Sequence, residues 1–301
     1  MTASPATEFA YSSVDWDTYV KYRLPYRAAF FDRIYGYHAQ KPQAGWGVAH
    51  DVGAGRGIVS AALASRFDSV VVSDPNDGHV ALARGALVQD ALTPASKFRF
   101  LPEGAERSSV GRATVDLITA CECIHFTDPE AAVGDFGRQL KPGGTLAMTY
   151  YAFPRIVGND PAESIWRRIL AVWSDGGPAA LYDRAFRIGN TALDAVGFPD
   201  SGWKAVKRIY VNARGSVDRF AIGDLRGKSR VKEGEDKLWI EGDQDWRGVK
   251  EISWFKGYLE TLVPCVPESK IRHLWDELEL ALDGKGVEME LPNVMVLATK
   301  E

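Results

Sequence analysis

The chain has 301 residues, 46% hydrophobic and 25% charged, with a formal net charge of −4. This is ordinary globular composition with enough apolar side chains for one large domain or a core and a cap. The acidic balance offers no basic field for nucleic acid, and three cysteines are too few for a disulfide framework. No run of about 18 apolar residues is present to span a bilayer. The opening MTASPATEFAYSSVDWD lacks the basic and apolar segments of a secretory signal. The expectation is a cytoplasmic protein without a nucleic-acid or membrane partner, its oligomeric state left open.

From residue 47 the pattern alternates between strand and helix, as in a parallel sheet covered on both faces. GVAHDV (47–52) reads as a strand ending at a glycine turn, and IVSAALASRF (58–67) has helical apolar spacing. SVVVSD (69–74) is a buried strand closing on an acid, HVALARGALVQDAL (79–92) a helix, and KFRFLPEGAE (97–106) a strand running into a loop. VDLITACECIHF (115–126) is the fourth strand with its loop, PEAAVGDFGRQL (129–140) a helix stopped by LKPGG, and TLAMTYYAF (145–153) the fifth strand. Beyond these, ESIWRRILAVW (163–173) is an amphipathic helix, and IGNTALDAVGF (188–198) reads as a helix closed by glycine. WKAVKRIYVNAR (203–214) alternates as a strand. The charged stretch 226–248 reads as an exposed excursion of mixed sign. SWFKGYLETLV (253–263) and ESKIRHLWDELELALDG (268–284) are helices, and VEMELPNVMVLATK (287–300) is strand material. Seven of nine tryptophans follow residue 160, where core packing is the preferred explanation and a pocket wall the alternative.

The turn HDVGAGRG (50–57) carries the chemical signal. Glycines between a strand and a helix bring backbone N–H groups close to a ligand. A dinucleotide site wants G-x-G-x-x-G, but Ile58 stands three residues after Gly55, and the glycines fall as Gly53-x-Gly55-x-Gly57. Asp51 beside the turn would repel a pyrophosphate and attract an ammonium or sulfonium, while free N–H groups suit a carboxylate. S-adenosylmethionine carries all three groups. Asp74, at the end of the next strand, can take both ribose hydroxyls, or serve only as a turn aspartate before Pro75.

The run D-x-G-x-G-x-G, the acid Asp74, GAE (104–106) and LKPGG (140–144) together resemble the class I S-adenosylmethionine-dependent methyltransferases. The resemblance implies an α/β, doubly wound, Rossmann-like sheet of seven strands, mostly parallel with an antiparallel last strand, plus a helical cap. It divides the chain into a lid segment (1–45), a cofactor core (46–153) and cap insertions with the closing strands (154–301). It implies S-adenosylmethionine as cofactor and S-adenosylhomocysteine as product, held by Tyr19, Asp51, Gly53, Ala54, Gly55, Gly57, Asp74, Pro75, Ala105, Glu106 and Cys121.

YVKYRLPY (19–26), IYGYH (34–38), CECIHFTD (121–128), FKGYLETL (255–262) and the closing ELPNVMVLATK are similar to segments of the trans-aconitate methyltransferase-like proteins of fungi and bacteria. Leu24 intrudes before Pro25, and Phe126 stands where that group has tryptophan. This likeness implies a small-molecule acceptor, a carboxylic acid in first place. A carboxylate needs no base but does need a counter-charge, and Arg23 is the candidate. A phenol or alcohol would need a base, for which His125 is the catalytic candidate, or it lines the pocket passively. Trp16, Tyr19 and Tyr22 are expected over the methionine end. Phe126, Tyr150 and Tyr151 are expected at the acceptor, with only one of the two adjacent tyrosines facing inward. Cys121 and Cys123 would share one strand face, with no ligand spacing for a metal. A non-methylating rearrangement on the same scaffold and a binding protein without activity are the competing functions.

Overall fold

A computed structural model describes residues 15–89, 93–176, 179–263 and 265–301. Asp15 opens the first of these segments as an N-cap, accepting from the amides of Asp17 and Thr18 at 3.1 and 3.2 Å, and starts helix α1 (Trp16–Tyr22). Helix α2 (Ala28–Ala39) follows. The expected alternation then appears: β1 (Val48–Val52), α3 (Ile58–Ala64), β2 (Ser69–Ser73), α4 (Asp77–Val88), β3 (Phe98–Leu101), β4 (Val115–Cys121), α5 (Pro129–Gln139) and β5 (Leu140–Tyr151). Polar side chains cap two of these helices, Asn76 bonding amides of α4 and Asp128 those of α5, where Pro129 occupies the first turn. The end of the expected helix 79–92 falls partly on residues 90–92, outside the described residues.

With β7 (Trp203–Val211), β8 (Asp236–Ile240) and β11 (Asn293–Lys300), the main sheet runs β3-β2-β1-β4-β5-β11-β7-β8. It therefore has eight strands, not seven. Only β11 runs against its neighbours β5 and β7. The added strand is β8, drawn from the stretch read as an exposed excursion. Its alternation is short, but Trp239 stacks on Tyr210 with ring centroids 4.2 Å apart, enough to hold an edge strand. The closing strand material divides at Leu291-Pro292: β10 (Val287–Glu290) joins β6 (Arg155–Val157) and β9 (Arg247–Lys250) in a second, antiparallel sheet.

The helix expected over 188–198 ends early. Helix α7 occupies Ala179–Gly189, after α6 (Asp160–Asp175). Asn190 donates to the carbonyls of Ile222 and Leu225 at 2.8 and 2.9 Å, and Ala192 and Leu193 adopt positive φ. Side-chain capture of backbone there competes with helical continuation.

Apolar packing divides between the faces of the main sheet and a separate cluster joining α6, α8 (Ile252–Glu260) and α9 (Glu268–Leu282). Trp166, Trp275, Phe255 and Leu278 form that cluster's centre. Trp166 hides its ring and donates Nε1–H to the Pro154 carbonyl at 2.8 Å. Most of the late tryptophans thus do serve the core.

The Arg208 side chain is fully buried at the main sheet. Arg208 on β7 donates to Glu235 at 2.6 Å and to the carbonyls of Leu193 and Val196 at 3.0 and 2.9 Å. It ties the turn after α7 to the sheet edge. Removing one member of such a network leaves the rest unpaired in low dielectric. Arg208→Ala is expected to cost about 3–5 kcal/mol of stability, measured by urea unfolding; a loss below 1 kcal/mol on that order would contradict it.

Candidate active site

The strand order reverses between β1 and β4, and beyond their carboxyl ends lies a cavity of about 690 Å3. Crevices at such switch points are the ligand sites of doubly wound sheets. One end is built by the glycine turn. Gly53, Gly55 and Gly57 have φ of 64°, 53° and 87°, the left-handed region that side chains resist. A Cβ on Gly53 would lie 2.4 Å from the Cβ of Cys123, and one on Gly55 would lie 2.5 Å from the Trp16 ring. Glycine is therefore required for both backbone angle and space.

Asp51 is buried at the end of β1. Its oxygens accept from Ser60 at 2.6 Å and Thr119 at 2.9 Å. Burial pushes its carboxyl up to about 6 despite those hydroxyls. Asp74 accepts the Gly55 amide at 3.0 Å and the Asn76 amide at 2.9 Å, one on each oxygen. Oδ1 also lies 3.3 Å from Nδ1 of His79, whereas Oδ2 retains a second acceptor site for a hydroxyl. Pro75, Ala105, Glu106, Ala54 and Cys121 line the same end.

The other end is aromatic. Phe126, Phe153, Trp173, Tyr182, Phe186 and Tyr258 line it. At the junction stands Arg23, just beyond α1. Its Nε donates to Thr261 at 2.8 Å and its Nη1 to the Tyr258 hydroxyl at 3.0 Å. The guanidinium lies 4.4 Å from the Tyr258 ring centre and 5.0 Å from that of Tyr19. Burial opposes its charge, but Tyr258, Tyr151, Tyr19 and Glu122 outweigh burial and raise its pKa. Tyr19 and Tyr151 join hydroxyls at 3.0 Å.

Several expected placements change. Tyr22 does not line the cavity. Its ring sits where a Cβ on Gly257 of α8 would lie, 2.3 Å from Cζ, because a helix sends residue 22 to a different face from 16, 19 and 23. Trp16, expected over the methionine end, meets the glycine turn and the His79 ring, with centroids 5.0 Å apart, so it roofs the nucleotide end. Tyr150 and Tyr151 both line the cavity. The cavity lies beyond the carboxyl ends of the strands, where rings from both faces reach it. Cys121 and Cys123 do not continue one strand face, since Glu122 between them has φ 56° and turns the chain. His125 lines the cavity beside Tyr150, its ring centre 4.9 Å away. Its Nδ1 is buried without a hydrogen-bond partner among the described residues, and burial drives its pKa down to about 3.

The methyltransferase-domain family matches residues 50–148. The methyltransferase cfoB of Aspergillus candidus is 31% identical to this chain, the alignment covering 100% of both. The chain belongs to the S-adenosylmethionine-dependent methyltransferases. Methyltransferase AacuQ of Aspergillus aculeatus is 34% identical over 95% of this chain and 93% of its own. A structure described as a type II methyltransferase from Anaeromyxobacter dehalogenans shares the fold, with a TM-score of 0.59 at 16% identity over 92% of this chain and 97% of that one.

The class I fold, the cofactor and a small-molecule acceptor follow from membership. Among the described residues, no helix of this methyltransferase is long and apolar enough to cross a membrane. The cavity fits a sulfonium nucleoside. Within the turn the Ala54, Gly55 and Gly57 amides already serve Ser73, Asp74 and Ala54, so fewer N–H groups than the glycine spacing suggests would meet its carboxylate, with Asp74 at its ribose and desolvated Asp51 at its cationic end. Residues that sequence reasoning missed are Glu122, Tyr258, Thr261 and the rings of α6 and α7. Glu122 lay inside the quoted CECIHF, but nothing in its spacing foretold a left-handed bend.

Two outcomes follow. Gly55→Ala is expected to displace Trp16 and weaken S-adenosylmethionine binding by about tenfold or more, since strain and steric conflict coincide; isothermal calorimetry reads it. Because only ionised Asp51 attracts the sulfonium, affinity should strengthen as pH rises through about 6, by up to about tenfold per unit below that point. Asp51→Asn should flatten the curve, and an unchanged slope would remove Asp51 from cofactor recognition.

Proposed function

We propose that this methyltransferase converts a small carboxylic acid to its methyl ester. The observation that carries the reading is Arg23. Its guanidinium enters the cavity with two nitrogens anchored on Thr261 and Tyr258, and Nη2 has no protein partner among the described residues. A pre-anchored guanidinium suits a carboxylate oxygen. The resemblance to trans-aconitate methyltransferase-like proteins supports the same acceptor class.

His125 argues in the same direction. Accepting a proton from a phenol of pKa about 10 on an imidazole of pKa about 3 would be uphill by on the order of 10 kcal/mol. No carboxylate orients or charges that ring among the contacts it makes. It is therefore assigned to the cavity wall.

When bound, the cofactor supplies a methyl group already activated on a sulfonium, so displacement needs alignment more than acid–base help. Arg23 orients the acceptor carboxylate, and Tyr150, Phe126 and Trp173 exclude water from the line of attack. Orientation of this kind contributes roughly 7–11 kcal/mol in well-positioned reactions.

Methyl-labelled donor offered with a panel of small acids and phenols tests the proposal. Label released as methanol by alkali identifies an ester; product without label points to a rearrangement. Arg23→Met should lower kcat/KM for the acid by about tenfold to a hundredfold, with cofactor affinity within a few-fold of wild type. Collapse of cofactor affinity instead would assign Arg23 to the cofactor's own carboxylate.

A further inference from the structure

Glu122 is the acid the site has not yet explained. It follows β4 with φ 56°, a conformation that costs a side chain of this kind about 1–2 kcal/mol. Strain of this sort persists where surroundings enforce it. The Glu122 amide donates to the Thr149 carbonyl at 3.0 Å, and on the far side Cys123 packs on Gly53 and bonds the Val52 carbonyl at 3.2 Å. The bend carries the carboxyl group into the cavity wall. One of its oxygens accepts from the Tyr151 amide; the other has no protein partner among the described residues.

The groups around it are Arg23 and Tyr19 from the α1 segment, Tyr26 after it, Cys121 and Cys123 on either side, Tyr150 and Tyr151 of β5, and Tyr258 of α8. Asp51 lies one strand away and shares Cys121 as a neighbour. Arg23 is the one cation in this set, yet it forms no ion pair with Glu122 among the described residues, being held by Thr261 and Tyr258. An ionised acid in such a place would draw the guanidinium to itself. Burial pushes Glu122 well above the ordinary carboxylate range, with the Tyr151 amide and Arg23 opposing only in part.

We propose that Glu122 is the proton-bearing half of an acceptor clamp: its neutral carboxyl donates to one oxygen of the acceptor carboxylate while Arg23 donates to the other. This rests on the carboxylic-acid reading above. The proton stays on Glu122 throughout, and only the methyl group moves. An O–H donor to a carboxylate is a strong, short hydrogen bond, whereas ionised Glu122 sets like charge against the acceptor. Glu122 thus determines specificity: the site takes acids below its pKa and rejects them above.

The test uses the full chain saturated with S-adenosylhomocysteine. It is titrated with 2-naphthoate and with 2-naphthol, matched in ring and different in charge, and followed by tryptophan fluorescence because Trp173 lines the cavity. Wild type should bind naphthoate at mildly acidic pH and lose at least about tenfold in affinity as Glu122 ionises. Glu122→Gln, neutral at every pH and still a donor, should keep its affinity across the range. An infrared band of a protonated carboxyl should be present in wild type and absent from the variant. Glu122→Asn, which accepts left-handed backbone readily, replaces Glu122→Gln if thermal unfolding shows that variant does not fold. If Glu122→Gln shows the same alkaline loss as wild type, or binds naphthoate at no pH, the role of Glu122 is overturned while the carboxylate reading stands. If wild type takes naphthol and refuses naphthoate at every pH, the carboxylate reading itself has failed and the clamp falls with it.

Discussion

The site is organised by a backbone constraint. Between β1 and α3 the chain must reverse in five residues while keeping its backbone bare toward the cavity, and it does so through three left-handed glycines. Each glycine is hemmed by a different neighbour: Gly53 by Cys123, Gly55 by Trp16, Gly57 by Leu87. The turn therefore fixes where β4's continuation, the α1 segment and α4 approach one another. Asp74 secures it by accepting the Gly55 amide, so the group that would hold the ribose also holds the loop beneath it. A substitution at any of these points disturbs ligand and scaffold together.

Around that turn the chemistry is governed by desolvation. The same exclusion of water raises Asp51 and Glu122 and lowers His125. On the proposed reading, a neutral Glu122 faces a carboxylate without charge repulsion, and a desolvated His125 is a weak base. Arg23 keeps its charge among three phenol oxygens, with two of its nitrogens hydrogen-bonded. Its bonds to Tyr258 and Thr261 also fasten the α1 segment to α8, joining the first described elements to one near the end of the chain. The α1 segment, once in place, contributes Trp16 to the nucleotide end and Arg23 to the acceptor end, one and a half to two helical turns apart.

Much of the nucleotide end was legible in the residues. Asp51, the three glycines, Asp74 and GAE are consecutive landmarks on alternating elements, and their chemistry depends mainly on local backbone. The acceptor end was less legible because its residues come from distant segments. Tyr258, Thr261, Trp173 and Phe186 converge only when α6, α7 and α8 pack. Tyr22 shows the limit from the other side: adjacent to Arg23 and equally aromatic in context, it is turned away by helical phase alone. Strand β8 and the early end of α7 were hidden for a related reason. The stacking of Trp239 on Tyr210, and the capture of two distant carbonyls by Asn190, are long-range contacts that outweigh local pattern.

The amino-acid sequence by itself determined the alternating α/β core, the glycine turn and the kind of cofactor that turn accepts, because hydrophobic period, backbone freedom and one adjacent acid are all local properties. The tertiary structure alone decided which side chains share a dry cavity and therefore which carry charge. Glu122 as a wall of that cavity, His125 held as a neutral imidazole and Arg23 anchored at two nitrogens exist only after folding, since the free energy of an ionisable group is set by what replaces its water.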